Sequence, residues 1–139
     1  MTLTFKYKKI ERPAPLPPTL YPIIPVTLKG NKKHLDVLAL LDSGADFTAI
    51  PKGIAEYIGI DLSRKPEIIV GVGGKIHAIP SKVNINVQHG HENYSISAEV
   101  RVMDVDDKFP VLIGRKDFFE KFDITFKEKE KRVILKKVS

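Results

Sequence analysis

Apolar and polar residues alternate with a period of two along most of the 139-residue chain, and this alternation constrains the fold more than any other feature. Successive side chains of a β-strand point to opposite faces, so the pattern predicts strands with one buried and one exposed face. Residues 96–102 are the clearest example, because apolar side chains occupy every second position. Only residues 51–59 and 115–122 have helical spacing. The pattern predicts an all-β domain, closed or sandwich-like, with about nine short strands and one or two short helices.

One predicted strand, residues 37–41, is apolar at every position, which predicts burial on both faces. It leads directly into Asp42, whose carboxylate would lose solvation at the mouth of a buried strand. Ser43 adds a hydroxyl, and Gly44 permits a tight turn and the close approach of another backbone. The ordinary role of such a tripeptide is a turn in which the aspartate caps its own loop. These residues by themselves leave that role and a catalytic one open.

Four of the ten prolines lie in residues 11–19. Proline has no backbone N–H to donate, so this segment cannot pair in the middle of a sheet. We predict that residues 1–19 form an N-terminal strand and a proline-rich connector, and that residues 20–139 form one domain. The length fits this organisation, because single domains typically have about 100–150 residues.

Composition excludes several classes of protein. The chain has no cysteine, which excludes disulfides, a thiolate nucleophile and zinc sites built on cysteine. No apolar run approaches the roughly 20 residues that span a bilayer, and the N-terminus lacks the apolar segment of a signal peptide, so we expect a cytoplasmic protein. The net charge of +6 leaves a basic nucleic-acid-binding domain as one hypothesis. The lysines are spread out and do not alternate with aromatic residues, which argues against it.

The sequence gives little support for a metal site, a phosphate-binding loop or a serine nucleophile. His89 and His91 lie two positions apart in a predicted turn, but no convincing third ligand accompanies them, so we expect no metal site and no cofactor. Residues 71–75, GVGGK, lack the spacing of a phosphate-binding loop. Ser43 lacks the Gly-x-Ser-x-Gly context of a serine nucleophile.

Three segments together resemble the retropepsins, the aspartic proteases typified by the retroviral enzymes. Residues 38–50 read LALLDSGADFTAI, which is similar to the catalytic loop of that family. Residues 111–119 read VLIGRKDFF, which is similar to its apolar pair followed by Gly-Arg and a short helix. A segment between them resembles the glycine-rich, substrate-binding flap: Gly71, Val72, Gly73 and Gly74. The resemblance covers residues 20–127 and implies a closed, retropepsin-like β-barrel with a flap hairpin.

The resemblance assigns roles to the residues of the catalytic loop. Asp42 matches the catalytic aspartate. Ser43 matches the hydroxyl residue that braces the two catalytic loops against each other, and Gly44 matches the glycine whose carbonyl faces the substrate. Ala45 completes the loop motif. These assignments rest on the match of the motif and carry over position by position.

Two further residues support the loop in the resemblance. Asp46 matches a second acid, which contacts the substrate main chain and pairs with the helix arginine, here Arg115. Without the resemblance, the two would be an ordinary surface ion pair, worth at most about 1 kcal/mol. We expect them to support the structure of the site and not to act as catalysts.

The resemblance also implies a reaction and an assembly. Aspartic proteases place two carboxylates together so that they share one proton and activate a water against the peptide bond. This chain has a single Asp-Ser-Gly loop, so the resemblance implies a C2 homodimer that joins two Asp42 residues and cleaves peptides or proteins. Retroviral relatives form their interface from chain termini, which makes residues 3–7 and 133–138 candidates here. The alternative is a binding or scaffold dimer that cleaves poorly or not at all.

Overall fold

The computed structural model describes residues 2–10, 13–71 and 74–138, and in these ranges the chain is built mostly of β-strands. The strands are β1 (Thr2–Lys6), β2 (Lys8–Ile10), β3 (Thr19–Tyr21), β4 (Ile23–Lys29), β5 (His34–Leu41), β6 (Thr48–Pro51), β7 (Glu67–Gly71), β8 (Gly74–His89), β9 (Glu92–Met103), β10 (Val111–Ile113), β11 (Phe122–Lys127) and β12 (Arg132–Lys137). Two short helical segments accompany them: α1 (Lys52–Ile58) and a turn at Arg115–Phe119. The prediction of an all-β domain with one or two short helices is confirmed.

Six strands close into a ring that positions the loop after β5. The main sheet has the order β4-β5-β10-β6-β9-β8-β7, and a further pairing of β4 with β8 joins the two sides. β10 runs parallel to β5 and antiparallel to β6, so it lies between the strands before and after the Asp42 loop. β7 pairs only with β8 in the described part of the sheet and forms its edge.

The two ends of the chain meet in a separate sheet of order β1-β12-β11. Leu3 lies opposite Leu135 and Phe5 opposite Val133, and all four side chains are buried. β11 and β12 form an antiparallel hairpin at the end of the chain. β12 is therefore hydrogen-bonded on both of its sides within the chain.

The core consists of the inward-facing side chains of these strands. In β9, alternation holds as predicted: Ile96, Ala98, Val100 and Val102 are all buried. Each fully buried Val or Ile side chain contributes about 1.5–3 kcal/mol relative to an exposed one. The helical segments are too short to cross a membrane, and no helix in the described ranges is long and apolar enough to do so.

The prediction that residues 37–41 are buried on both faces is wrong. Ala39 and Leu41 are buried, but Leu38 between them is 56% exposed. Leu38 lies opposite Pro25 in the β4–β5 hairpin, and Pro25 is exposed as well. One face of this hairpin packs on the core while the other faces solvent, as antiparallel pairs commonly do.

The first predicted helix forms and the second is shorter than predicted. α1 ends at Gly59, whose φ of 78° is a left-handed conformation that glycine adopts without cost. The second segment is interrupted at Lys116 and Asp117, where Asp117 has a φ of 68°, and Phe122 already belongs to β11. Phe118 and Phe122 are buried with ring centroids 5.1 Å apart. Their helical spacing reflects a shared core contact and not a continuous helix.

Candidate active site

Asp42 occupies the first position after β5, in the loop that connects β5 to β6. Its backbone N–H donates to the carbonyl of Ile113 at 2.9 Å and so continues the pairing of β5 with β10. Its carboxylate accepts a hydrogen bond from the N–H of Gly44, also at 2.9 Å. A Cβ on Gly44 would lie 3.3 Å from that carboxylate oxygen, so glycine permits this close approach. Backbone pairing thus fixes where the carboxylate stands.

The rest of the loop is tied to the segment after β10. Arg115 and Lys116 donate their backbone N–H groups to the carbonyls of Ala45 and Asp46, both at 2.9 Å. Gly114 donates its N–H to the hydroxyl of Thr48 at 3.2 Å, and Thr48 is fully buried. A Cβ on Gly114 would lie 2.3 Å from the carbonyl oxygen of Phe47. Glycine is required here because two backbones touch.

The structure brings Asp46 and Arg115 together as the sequence predicts. Their carboxylate and guanidinium groups are in direct contact. Both are exposed in the single chain, at 75% and 57% of their side chains, so the pair contributes at most about 1 kcal/mol there. Ser43 and Gly44 lie exposed at the tip of the turn. The loop residues are thus placed together, and the bracing role of Ser43 remains a prediction.

A cleft of about 820 Å³ opens beside Asp42. The Asp42 loop forms one wall and β7 forms the opposite wall. The side chains between the walls are mostly apolar: Phe47, Ala49, Met103, Phe109 and Leu112. Such a cleft matches the size and apolar character of ligand sites in proteins.

Two of the four predicted flap residues fall in the described part of the chain. Gly71 ends β7 and Gly74 begins β8 with a φ of 108°. The two strands form an antiparallel hairpin. Val72 and Gly73 lie outside the described residues.

Sequence reasoning missed an ion pair in this cleft. Arg101 on β9 directs its Nε to a carboxylate oxygen of Glu67 on β7 at 3.1 Å, and its guanidinium lies 3.8 Å from the centre of the Phe47 ring. The Arg101 side chain is 11% exposed and that of Glu67 is 51% exposed. Arg101 sits at a polar position of an alternating strand, which gives no sign of a cleft position. Only strand pairing shows that Arg101 lies in the cleft, because it is opposite Ala49 of β6, and Ala49 lies seven residues after Asp42.

The histidines do not form a rival site. His89 ends β8 and packs its ring against Phe5, with centroids 4.7 Å apart. His91 lies exposed in the turn that follows. Among residues 2–10, 13–71 and 74–138, no group of three or more His, Cys, Asp or Glu side chains could hold a metal ion.

Comparison with known proteins identifies the fold. A retropepsin-like aspartic protease from Rickettsia conorii is similar in structure, with a TM-score of 0.56 and 16% identity over 97% of this chain and 90% of that one. The EIAV protease in complex with the inhibitor HBY-793 is also similar, with a TM-score of 0.51 and 18% identity over 76% of this chain and 88% of that one. At these identities the likeness shows the retropepsin-like fold alone. No curated protein is significantly similar in sequence.

A sequence-family match goes further than the fold. Residues 24–116 match the aspartyl protease family, which is well over half of the chain. The matched range begins in β4 and ends just after Arg115, so it contains the Asp42 loop, β7 and the cleft floor. The chain therefore belongs to the aspartyl protease family.

Proposed function

We propose that this chain is an aspartic endopeptidase that acts as a C2 homodimer, with Asp42 of each subunit in one shared site. The observation that carries the proposal is Asp42, whose carboxylate and backbone N–H are both hydrogen-bonded to the backbone at the edge of a cleft of about 820 Å³. Membership of the aspartyl protease family supports the same activity.

A second copy is part of the proposal because the reaction needs two carboxylates. The other aspartates after residue 100 lack the Ser-Gly context of Asp42. Two of them already serve the fold: Asp117 accepts the N–H of Glu99 at 2.8 Å, and Asp106 accepts the N–H of Lys108 at 2.7 Å. The exposed position of Ser43 and Gly44 leaves the loop tip accessible to the same loop of a partner.

The proposed chemistry uses only the two carboxylates and a water. At short separation the two Asp42 groups cannot both be ionised, so they hold one proton between them. The ionised carboxylate takes a proton from the water as the water oxygen attacks the scissile carbonyl carbon. The protonated carboxylate gives its proton to the carbonyl oxygen. The tetrahedral intermediate then collapses: the carboxyl that holds the water proton gives it to the amide nitrogen, the C–N bond breaks and the amine leaves, and the other carboxylate takes back a hydroxyl proton of the intermediate as the new carboxyl group forms.

In this proposal the β7–β8 hairpin is the flap over the bound peptide. β7 faces the Asp42 loop across the cleft and is an edge strand, so it can move without breaking the ring. Closure over the substrate would exclude bulk water from the carboxylates. The assignment of Val72 and Gly73 to the flap tip stays a prediction.

The terminal sheet limits how a dimer can be built. Because β12 is paired with β11 on one side and with β1 on the other as far as Lys136, residues 133–136 have no free edge for a partner strand. β1 and β11 are the outer strands of this sheet. We propose that any sheet shared between subunits grows through one of these two, which retains residues 3–7 as candidates.

The test is a peptide-library digest between pH 3 and 7 with the wild-type protein, Asp42→Asn and Asp36→Asn. Asp36 lies on β5, the strand that leads into Asp42, and is exposed, and the oxygen of an asparagine there can still accept the hydrogen bond of Thr27. We expect cleavage at acidic pH by the wild type and the Asp36 control, and a loss of more than about 10²-fold in Asp42→Asn. Sedimentation of all three proteins should show the dimer.

Two outcomes would contradict the proposal in different ways. Cleavage retained by Asp42→Asn would refute the role of that carboxylate. A wild-type dimer with no turnover across the library would favour the scaffold alternative, because fold and family do not guarantee activity.

A further inference from the structure

Arg101 is the cation that lines the cleft together with the carboxylates of Asp42, Asp46 and Glu67. It stands on β9 opposite Ala49 of β6, on the floor of the cleft. Its side chain is 11% exposed, and no buried side-chain nitrogen in the described residues lacks a hydrogen-bond partner, so the unpaired part of the guanidinium is the part that remains open to the cleft.

The contacts of Arg101 use only part of its hydrogen-bonding capacity. Nε donates to Glu67 at 3.1 Å, and Nη1 donates to the carbonyl of Val100 at 3.2 Å. A guanidinium has five N–H donors. The others have no acceptor among residues 2–10, 13–71 and 74–138, so a planar fork remains for an incoming group. The Phe47 ring, 3.8 Å from the guanidinium, supports the plane of that fork through a cation–π contact.

The Glu67 partner is held less firmly than Arg101. Its carboxylate meets the guanidinium through one oxygen and one nitrogen, and its side chain is 51% exposed. A half-exposed carboxylate regains full hydration when it is released. Glu67 also belongs to the edge strand β7, which is bound to the sheet on one side only. Another carboxylate with bidentate geometry can therefore replace it.

We infer that Arg101 is a specificity-determining residue, which binds an acidic side chain of the substrate in exchange for Glu67. This inference rests on the proposed peptidase function and names its substrate class: peptides with Asp or Glu at one position near the scissile bond. The guanidinium, stacked on Phe47, receives both carboxylate oxygens, and Glu67 turns to solvent. The opposing effect is the negative charge of Asp42, Asp46 and Glu67, which favours a basic side chain.

The test uses peptide sets that differ only by Glu, Gln or Lys at one position, which is moved along the sequence around the cleavage site. At pH 5.5 a substrate glutamate is mostly ionised, because its ordinary pKa is about 4.3. We expect one position at which the Glu peptide exceeds the Gln peptide in kcat/KM by about tenfold, mainly through KM. In Arg101→Gln this ratio should fall to about one. In Glu67→Gln it should rise, because the internal competitor is gone.

Arg132→Gln is the matched control. Arg132 is an exposed arginine of β12, so this variant makes the same charge change without touching the cleft and should keep the Glu/Gln ratio. If Arg101→Gln does not fold because its side chain is buried, Glu67→Gln still decides, since Glu67 is half exposed. An unchanged ratio in either cleft variant, or a preference for Lys at that position, would overturn the inference.

Calorimetry with Asp42→Asn separates this inference from the proposed function, because binding needs no turnover. A Glu preference in binding without cleavage by the wild type would defeat the peptidase proposal and leave the role of Arg101 standing. Cleavage by the wild type with no Glu preference in binding would support the peptidase proposal and overturn the role of Arg101. Absence of a Glu preference in binding overturns the inference whatever the outcome for cleavage.

Discussion

The two walls of the cleft are built in opposite ways. The Asp42 loop is hydrogen-bonded through its backbone to β10 and to Arg115, and it contains the fully buried Thr48. The β7 wall is an edge strand whose Ile68 and Val70 side chains are 60% and 72% exposed. One wall is joined to the core by backbone hydrogen bonds, and the other is an edge strand with exposed side chains.

This difference matches the two tasks that an aspartic protease sets. An acid–base group must stand within a fraction of an ångström of its working position, so the wall that carries Asp42 is fixed by backbone contacts. The opposite wall must admit a peptide and cover it, so it has few contacts to break. Arg101 on the floor of the cleft and Glu67 on the β7 wall form an ion pair in which the arginine side chain is only 11% exposed. The difference predicts unequal responses to substitution.

The largest effect is expected for Gly114→Ala in the loop wall. Gly114 has a φ of −93°, which alanine adopts freely, so only the contact matters. The new Cβ would lie 2.3 Å from the carbonyl oxygen of Phe47, and a backbone cannot move aside like a flexible side chain. We expect a loss of about 3 kcal/mol or more in the free energy of unfolding, measured by urea denaturation.

Gly90→Ala is the matched control for that substitution. Gly90 lies in an open turn with a φ of 63°, and a Cβ there would meet nothing within 4 Å. Its cost is the left-handed conformation alone, about 1 kcal/mol. A smaller loss for Gly114→Ala than for Gly90→Ala would show that the loop and the Gly114 backbone are not in close contact.

A smaller effect is expected for Thr48→Val in the same wall. Valine has the shape of threonine but cannot accept the N–H of Gly114, which then stays buried without a partner. We expect a loss of about 1–3 kcal/mol in the free energy of unfolding. Thr125→Val on the exposed face of β11 tests the valine substitution itself and should change little. Equal effects at the two positions would mean that the buried hydrogen bond contributes nothing.

Much of the loop wall could be predicted from sequence because its signals are local. An apolar strand followed by Asp-Ser-Gly predicts the turn, the position of the acid and the close approach of another backbone from a few neighbouring residues. The same holds for α1, which begins after Pro51 and ends at Gly59 as predicted. The β4–β5 hairpin follows from Gly30 and the polar residues after it.

The errors and omissions all concern contacts between distant segments. Leu38 appeared buried because its neighbours are apolar, but its exposure depends on what covers the β4–β5 hairpin. The helical spacing of Phe118 and Phe122 came from a contact between the Arg115–Phe119 segment and β11, and not from one helix. Arg101 occupied a polar position in an alternating strand, and only the pairing of β9 with β6 brings that position into the cleft. Alternation gives the two faces of a strand but not the surroundings of each face.

The smallest effect on stability is expected in the β7 wall, for the double variant Ile68→Thr with Val70→Thr. Both side chains are mostly exposed, and threonine keeps the β-branched shape that suits a strand. We expect the free energy of unfolding to change by less than about 0.5 kcal/mol. The same variant should raise KM for a peptide with apolar side chains by severalfold, because both residues line the cleft and a peptide would cover them.

This separation between stability and KM is what distinguishes the two walls. Gly114→Ala and Thr48→Val, which disturb the packing of the loop wall, should lower stability first, and activity follows because the acid moves. A substitution in β7 should change binding while the fold stays intact. If the double variant lost more than about 1 kcal/mol, Ile68 and Val70 would be packed against something in the unliganded protein. A loss seen only at concentrations where the dimer forms would identify that covering surface as the partner subunit, and β7 would then serve in assembly before it serves in substrate binding.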